Sequence, residues 1–481
     1  MPLRRSGYFA VSFALNLAAA FRAPRPFFRI PNDRFVYDRR PAIAQTSSVS
    51  MSAATSEPYV QLHPPPAKVG DALSQVDTPA LCVSLDVLEA NCDALAKLME
   101  PHAGKVAVRP HAKACKSGEL ASMVLRRIKQ ANPDLECTGV CCQKLTEAEA
   151  VLHGGVCDIL ITNQIVGERK IKRLIDLAQA AHAKAPSAAS VAVLVDDVSN
   201  LKAIAAAAEA AKTKIKVLVE IDAGQSRCGL PAPLDTDSTE PLRSLVASAL
   251  ASPGVEFAGI HCYQGMLQHV RTPEERRDKV NQQVVKAAKA AIAVLREAKM
   301  WKEGLTVTGG GTGTLLYESE SEVFTEVQPG SFMFMDADYN LNQWPGPVPP
   351  FRSSLHVLSQ VVSRTPPPRS RDNGGRAVLD AGSKAIDYGS APPLVVASPS
   401  ASVDGEGLRC RNGGDEHSVI DLATAELGQD ATGADKFPVG RAVWLVPGHC
   451  DPTVNMHDFF VCHRDAKVEA VIPILGRGPG S

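Results

Sequence analysis

Between about residue 75 and residue 336 the chain repeats one pattern eight times: a short, apolar, β-branched run, then an Ala-, Leu- and Lys-rich stretch of helical period. The runs fall at 105–109, 136–142, 158–162, 191–196, 216–221, 257–263, 305–308 and 327–335. Candidate helices between them include 118–131, 145–153, 168–183, 200–211 and 273–298. Nearly continuous apolar strands alternating with helices are what a parallel sheet covered on both faces requires. Eight such units over roughly 230 residues match the count and length of a closed (β/α)8, TIM-like barrel. An open doubly wound α/β sheet would need about two strands fewer.

After Met335 the texture changes. Pro and Gly become frequent, as in 344–351 and 366–368, and long helical periods stop. Alternating segments at 355–362, 442–446 and 459–462 predict a second, β-rich domain over 337–481, which the stretch near 75–90 is a candidate to join. Insertions at 366–375 and 398–414 read as exposed loops.

Charge is unevenly placed. The net value is −1, yet residues 1–56 hold eight arginines against Asp33 and Asp38, a balance of +6 that leaves −7 for the rest. An acidic body speaks against nucleic acid or an anionic membrane as a partner. The Arg-, Ser-, Ala- and Phe-rich head, without an acid before Asp33, resembles a removable transit peptide for a plastid or mitochondrion; a secretory signal is the rival. The apolar run at 8–21 is too short and broken to span a bilayer. Twelve cysteines show no CxxC pairing of zinc-finger type, and most sit in apolar runs as small buried thiols do.

Barrel enzymes build their sites from loops at the C-terminal ends of the strands, and the unusual clusters of this chain fall there. Arg109-Pro110-His111-Ala112-Lys113 follows the first run. A lysine at a barrel mouth can be partly desolvated, which lowers its pKa and frees the amine to attack an aldehyde; alone it would read as a surface residue. Thr308-Gly309-Gly310-Gly311-Thr312-Gly313-Thr314 follows the seventh run, where barrels commonly hold phosphate, with Pro329-Gly330-Ser331 close by. Gln225-Ser226-Arg227-Cys228-Gly229 follows the fifth, and His261-Cys262-Tyr263-Gln264-Gly265 ends the sixth, with His269 shortly after. In the second domain, Pro447-Gly448-His449-Cys450-Asp451-Pro452 places His449 and Asp451 on one face if the segment is extended, as a chelating pair for a hard or borderline divalent cation.

Taken in order, these motifs resemble the alanine-racemase-like (fold type III) pyridoxal-phosphate enzymes, and within them the D-threonine aldolase and D-serine dehydratase group, over about 75–470. The resemblance implies that Lys113 carries the pyridoxal 5'-phosphate and that Gly309, Gly310, Gly311, Thr312 and Gly313 hold its phosphate. It places Arg227 near the pyridine ring, Tyr263 against the cofactor, and Gln143 and Thr162 one layer behind. His269 is the acid–base candidate, and His449 and Asp451 the metal ligands. Mn2+ is the metal expected first, ahead of Mg2+, Ca2+ or Zn2+. Dehydratases of the group look to use His-x-Cys, a softer pair suited to zinc, whereas position 451 here is Asp.

The activity so implied is aldol cleavage of D-threonine and other β-hydroxy-D-amino acids, by a homodimer acting on a small molecule. Dehydration is the alternative; a metal-independent racemase and a non-catalytic cofactor carrier are further rivals. If 1–56 is a transit peptide, a chain starting near Ser56 should be as soluble and active as the full chain. Loss of folding on that truncation, read by circular dichroism, would assign the segment to the mature protein.

Overall fold

The computed structural model describes residues 64–481, apart from 138, 236–237, 347, 366–374, 400–407 and 423–436. The Arg-rich head and parts of both insertions lie outside them.

β-Branched side chains suit a pleated surface buried on both faces, and the apolar runs form strands accordingly. The first strand, β1 (Ala80–Ser84), stands apart from the eight runs. Then come β2 (Ala107–Val108), β3 (Val140–Cys142), β4 (Asp158–Gln164), β5 (Ser190–Val195), β6 (Ile215–Asp222), the short β7 (Leu230–Pro231), β8 (Val255–Tyr263), β9 (Thr306–Gly309) and β10 (Glu326–Val327). They run parallel in the spatial order β2-β10-β9-β8-β6-β5-β4-β3, and the short β7 pairs parallel with β6 off that path. A parallel bridge between His111 and Cys141 returns β2 to β3, reinforced by the Cys141 amide donating to Pro110 O at 2.9 Å. The sheet therefore curls round on itself as the (β/α)8 barrel.

Helices Gly118–Ala131 and Leu145–His153 cover its outside within the bounds that their periodicity predicts. The strands expected over 105–109 and 136–142 shorten to Ala107–Val108 and Val140–Cys142, and two elements differ more. The run 327–335 is a strand only over Glu326–Val327, then a 3-10 turn at Ser331–Met333, because Pro329 offers no amide to a ladder. The long helix expected over 273–298 is divided into Pro273–Lys279 and Lys286–Glu297 by a π-helical segment, Val280–Val285. All twelve cysteines are free thiols, ten of them buried. No helix among the described residues is long and apolar enough to cross a membrane.

The barrel interior is partly polar. Arg109, at the end of the two-residue β2, donates from Nε to Glu326 on β10 at 2.8 Å and from a terminal nitrogen to Asp158 on β4 at 2.9 Å. A Cβ at Gly139 would come within 2.4 Å of that guanidinium, so the glycine makes room for it. From Glu326 a chain of hydrogen bonds climbs through Thr308 (2.8 Å) and Gln328 (2.8 Å) to His261 (3.3 Å).

The second sheet holds β11 (Leu355–Thr365), β12 (Arg376–Leu379), β13 (Leu394–Val396), β14 (Arg411–Asn412), β15 (Ser418–Asp421), β16 (Ala442–Val446), β17 (Phe459–Arg464) and β18 (Lys467–Pro473). Its pairings are antiparallel except one: β1 lies between β11 and β17, parallel to the latter. The chain thus starts in this sheet, builds the barrel and returns. Asn91, on helix Leu85–Leu98, clasps both ends of the return by bonding Met333 O and the backbone of Arg352.

Removing one partner of a buried ion pair leaves an uncompensated charge, which costs about 3–5 kcal/mol. Arg109→Leu should therefore lower the unfolding free energy by about that much, measured by urea titration. A loss below about 1 kcal/mol, the worth of an exposed pair, would show that the triad does not support the barrel.

Candidate active site

Loops from the C-terminal ends of the barrel strands meet residues 449–451 of the second domain around a cavity of about 210 Å3. Lys113, Gln143, Thr162, Arg227, Tyr263, His269, Gly311, Thr312, His449 and Asp451 all line it. Gly309, Gly310 and Gly313 do not.

Lys113 lies in a 3-10 turn, Ala112–Ala114, directly after the barrel-closing bridge. Its amide donates to His111 Nδ1 at 3.3 Å, which leaves the His111 proton on Nε2, 3.0 Å from Thr162 Oγ1. Thr162 bonds Gln143 Oε1 at 3.1 Å, and the Gln143 amide returns to Thr162 O at 3.0 Å. Gln143 and Thr162 therefore hold His111, and through it the lysine turn. Burial, then the Lys113 charge, keeps His111 neutral. The Lys113 amine sits 3.5 Å from Asp451 Oδ2. Its pKa departs from the lowered value expected. Burial does oppose the charge, but Asp451 outweighs it and holds the ammonium above the ordinary lysine range. Lys116, the nearby competitor, is turned away into an ion pair with Glu147 at 2.5 Å.

The glycine run divides by task. Gly309 ends β9 where a Cβ would fall 1.9 Å from Cys262 O, so the close approach of β8 demands it. Gly310 takes φ +68°, and Gly313 packs on the Gln268 backbone. Gln268 pins the loop, accepting from the Gly313 amide at 2.8 Å and donating to Thr314 at 2.9 Å. Gly311 and Thr312 are left lining the cavity together with Gly330 and Ser331.

Asp222, at the end of β6, accepts from the amides of Gly224 and Gln225 at 2.9 Å and of Ser226 at 3.1 Å. That turn carries the Arg227 guanidinium over the Tyr263 ring, 5.9 Å from its centroid. His261 also lines the cavity. Its Nδ1 is buried without a hydrogen-bond partner, 3.8 Å from Glu220, and burial pushes its pKa down to about 4.

His449 and Asp451 do not lie in an extended strand, as the sequence suggests. His449 is extended, but Cys450–Val454 is a short helix with Asp451 in its first turn. The two side chains still converge, His449 Nε2 lying 3.8 Å from Asp451 Oδ2. Atoms bound about 2.0–2.2 Å from one ion lie roughly 3–4 Å apart, so the pair fits a shared divalent cation. Burial works against charge on both, yet Lys113 and His449 lower Asp451 to about 2, and Asp451 and Asp336 raise His449 to about 9.

Asp336, His449 and Cys450 also bring ligand atoms within 4.8 Å of one another. The Asp336 carboxylate and Cys450 are fully buried, however, and burial keeps the Cys450 thiol protonated. Of these acids, imidazole and thiol, His449 and Asp451 line the cavity, whereas Asp336 and Cys450 do not. An amine, a small-residue loop, a cation over an aromatic ring and an orphaned ring nitrogen likewise fit an aldehyde cofactor bearing a phosphate.

Several residues here escape a motif search: Gln268, Asp336, Asp338 and Tyr339. For the two acids the one signal is their place in the otherwise apolar Phe332-Met333-Phe334-Met335-Asp336-Ala337-Asp338.

Residues 83–338 match the alanine racemase N-terminal domain, and 354–463 match a putative serine dehydratase domain. A D-threonine aldolase of Arthrobacter sp. is 39% identical over 86% of this chain and 96% of its own. The chain belongs to the D-threonine aldolase and D-serine dehydratase group of alanine-racemase-like enzymes. A 3-hydroxy-D-aspartate aldolase of Paracoccus denitrificans is 35% identical over 86% of this chain and 96% of its own. The crystal structure of a D-threonine aldolase from Filomicrobium marinum, 34% identical, superposes with a TM-score of 0.72 over 86% of this chain and 99% of that one. The fold is that of pyridoxal-phosphate enzymes.

Lys113→Ala should abolish the visible absorbance of bound cofactor, and Lys116→Ala should keep it, since Lys116 is held by Glu147. A band that survives in the first variant and disappears in the second would reverse the assignment.

Proposed function

We propose that the protein cleaves D-threonine and related β-hydroxy-D-amino acids to glycine and an aldehyde, using pyridoxal 5'-phosphate and a divalent cation, Mn2+ first. The observation that carries this reading is the oxygen donor of Asp451, paired with His449 and 3.5 Å from the Lys113 amine. A carboxylate with an imidazole favours a hard or borderline ion beside the β-hydroxyl. The aldolase relatives support the same bond choice.

Lys113 would hold the cofactor by its aldehyde, Gly311 and Thr312 would hold its phosphate, and Arg227 and Tyr263 would bound its ring. When bound, the cofactor supplies an electron sink at Cα and the cation Lewis acidity toward the β-hydroxyl. His269 takes the β-hydroxyl proton as the Cα–Cβ bond breaks, and Cα is reprotonated to give glycine.

The dehydratase match over 354–463 favours a second reading, loss of the β-hydroxyl to give a 2-oxo acid and ammonia. Chelation followed by metal rescue on D-threonine, with products identified, separates the two. Asp451→Ala should keep the visible cofactor band and lose more activity than the about 10–100-fold that removing an outer supporting group costs. Full aldehyde release in metal-stripped buffer, or 2-oxo acid as the main product, would overturn the proposal.

A further inference from the structure

Two histidines of the cavity, His449 and His269, are held from behind by carboxylates of one short segment. Asp336 Oδ2 accepts from His449 Nδ1 at 2.7 Å, and Asp338 Oδ2 from His269 Nδ1 at 2.5 Å. The two carboxylates are 0% and 3% exposed. Tyr339 stands between the rings, its centroid 6.0 Å from that of His269 and 6.2 Å from that of His449. The segment is itself tied to the second domain, Ala337 N donating to Pro447 O at 2.9 Å and Asp338 N to Gly448 O at 3.2 Å.

We propose that Asp336 and Asp338 are the positioning residues of this site, each fixing one histidine through Nδ1 so that both turn Nε2 into the same space. The inference rests on the roles given above to His449 and His269. Its force comes from what else each carboxylate binds. Asp336 also accepts from the Tyr339 amide at 2.8 Å and the Cys450 amide at 2.9 Å. Asp338 also accepts from the Arg271 guanidinium, whose other contacts are Asp338 O and Asn342 Oδ1, both at 2.8 Å. Backbone amides and guanidinium only donate, so these oxygens remain acceptors, and the ring nitrogen facing them must carry the proton. The Nε2 lone pair is left for a cation at His449 and for a proton at His269. Metal-binding histidines are commonly oriented in this way, and a histidine base needs the same tautomer.

The two acids should separate in experiment. In Asp338→Asn, Arg271 retains the amide oxygen and the NH2 turns to His269 Nδ1, which moves the ring proton to Nε2. Full-length holoenzyme should then show the opposite His269 tautomer in 1H–15N spectra of histidine-labelled protein at alkaline pH, assigned with His269→Gln. Its kcat on D-threonine should fall on the order of 10²–10⁴-fold with KM little changed, and Mn2+ affinity should stay within about twofold of wild type, well short of the 10–100-fold expected of a ligand-orienting group.

In Asp336→Asn, no amide orientation satisfies the Tyr339, Cys450 and His449 donors together. Mn2+ affinity, read by electron paramagnetic resonance without substrate, should weaken about 10–100-fold. The visible cofactor band should stay, and saturating Mn2+ should restore most of kcat. An unchanged His269 tautomer and kcat in the first variant would overturn the proposal. So would equal losses of Mn2+ affinity, kcat and melting temperature in both, which would make the acids mere supports of the domain junction. The spectra and the Mn2+ titration need no substrate. A wild type that leaves D-threonine intact therefore sinks the proposed reaction while these two readouts still judge the carboxylates.

Discussion

The largely buried contact of Arg109 with Asp158 and Glu326 is the constraint from which the site follows. β2 contributes two residues to the barrel and meets β3 through a single bridge, so its ladder alone closes the sheet weakly. The guanidinium spans β2, β4 and β10 at the point where backbone pairing is thinnest. Lys113 lies one turn beyond, with little freedom between the closure and its amine. The catalytic end thus inherits its geometry from a polar knot in the barrel floor. The chain of hydrogen bonds from Glu326 to His261 carries that order up to the cavity.

Above this floor the site is a balance of opposite charges from two domains. The barrel supplies Lys113 and Arg227, and the second domain supplies Asp451. The electrostatics of each depend on the other: Asp451 sustains the Lys113 ammonium, and Lys113 keeps Asp451 ionised despite burial. A cation beside Asp451 would compete with the lysine charge, and anything bound at Lys113 and at Asp451 would then be linked through one carboxylate.

Much of this was legible in the residues, for particular reasons. Helices 118–131 and 145–153 could be bounded because their apolar periodicity is clean, and most of the cavity-lining candidates stood in motifs, at strand ends or in the second domain, with Gln143 and Thr162 added by the resemblance. What misled was local geometry. The alternation of 327–335 imitates a strand, but Pro329 ends the ladder. Side chains two apart at 449 and 451 suggested extension, whereas a helix start with an extended first residue also makes them converge. The glycines at 309 and 313 looked like phosphate ligands, yet close backbone approach accounts for them. Asp336 and Asp338 were hidden because a buried acid is recognisable only from the partner it meets, and those partners, His449 and His269, lie far off in the chain.

The placement of β1 bears on how the protein comes to be folded. Leu81 pairs with Phe460, 379 residues further along, although every barrel strand lies between them. During synthesis, which exposes the N-terminal part first, the barrel can gather its helices while β1 still lacks the partner that completes its sheet. A strand with an open edge is a template for unwanted pairing, and ring closure over so long a span is slow. The second sheet is therefore the part whose strands all become available last. A chain stalled before β17 would own every barrel strand and lack the one that pairs with β1.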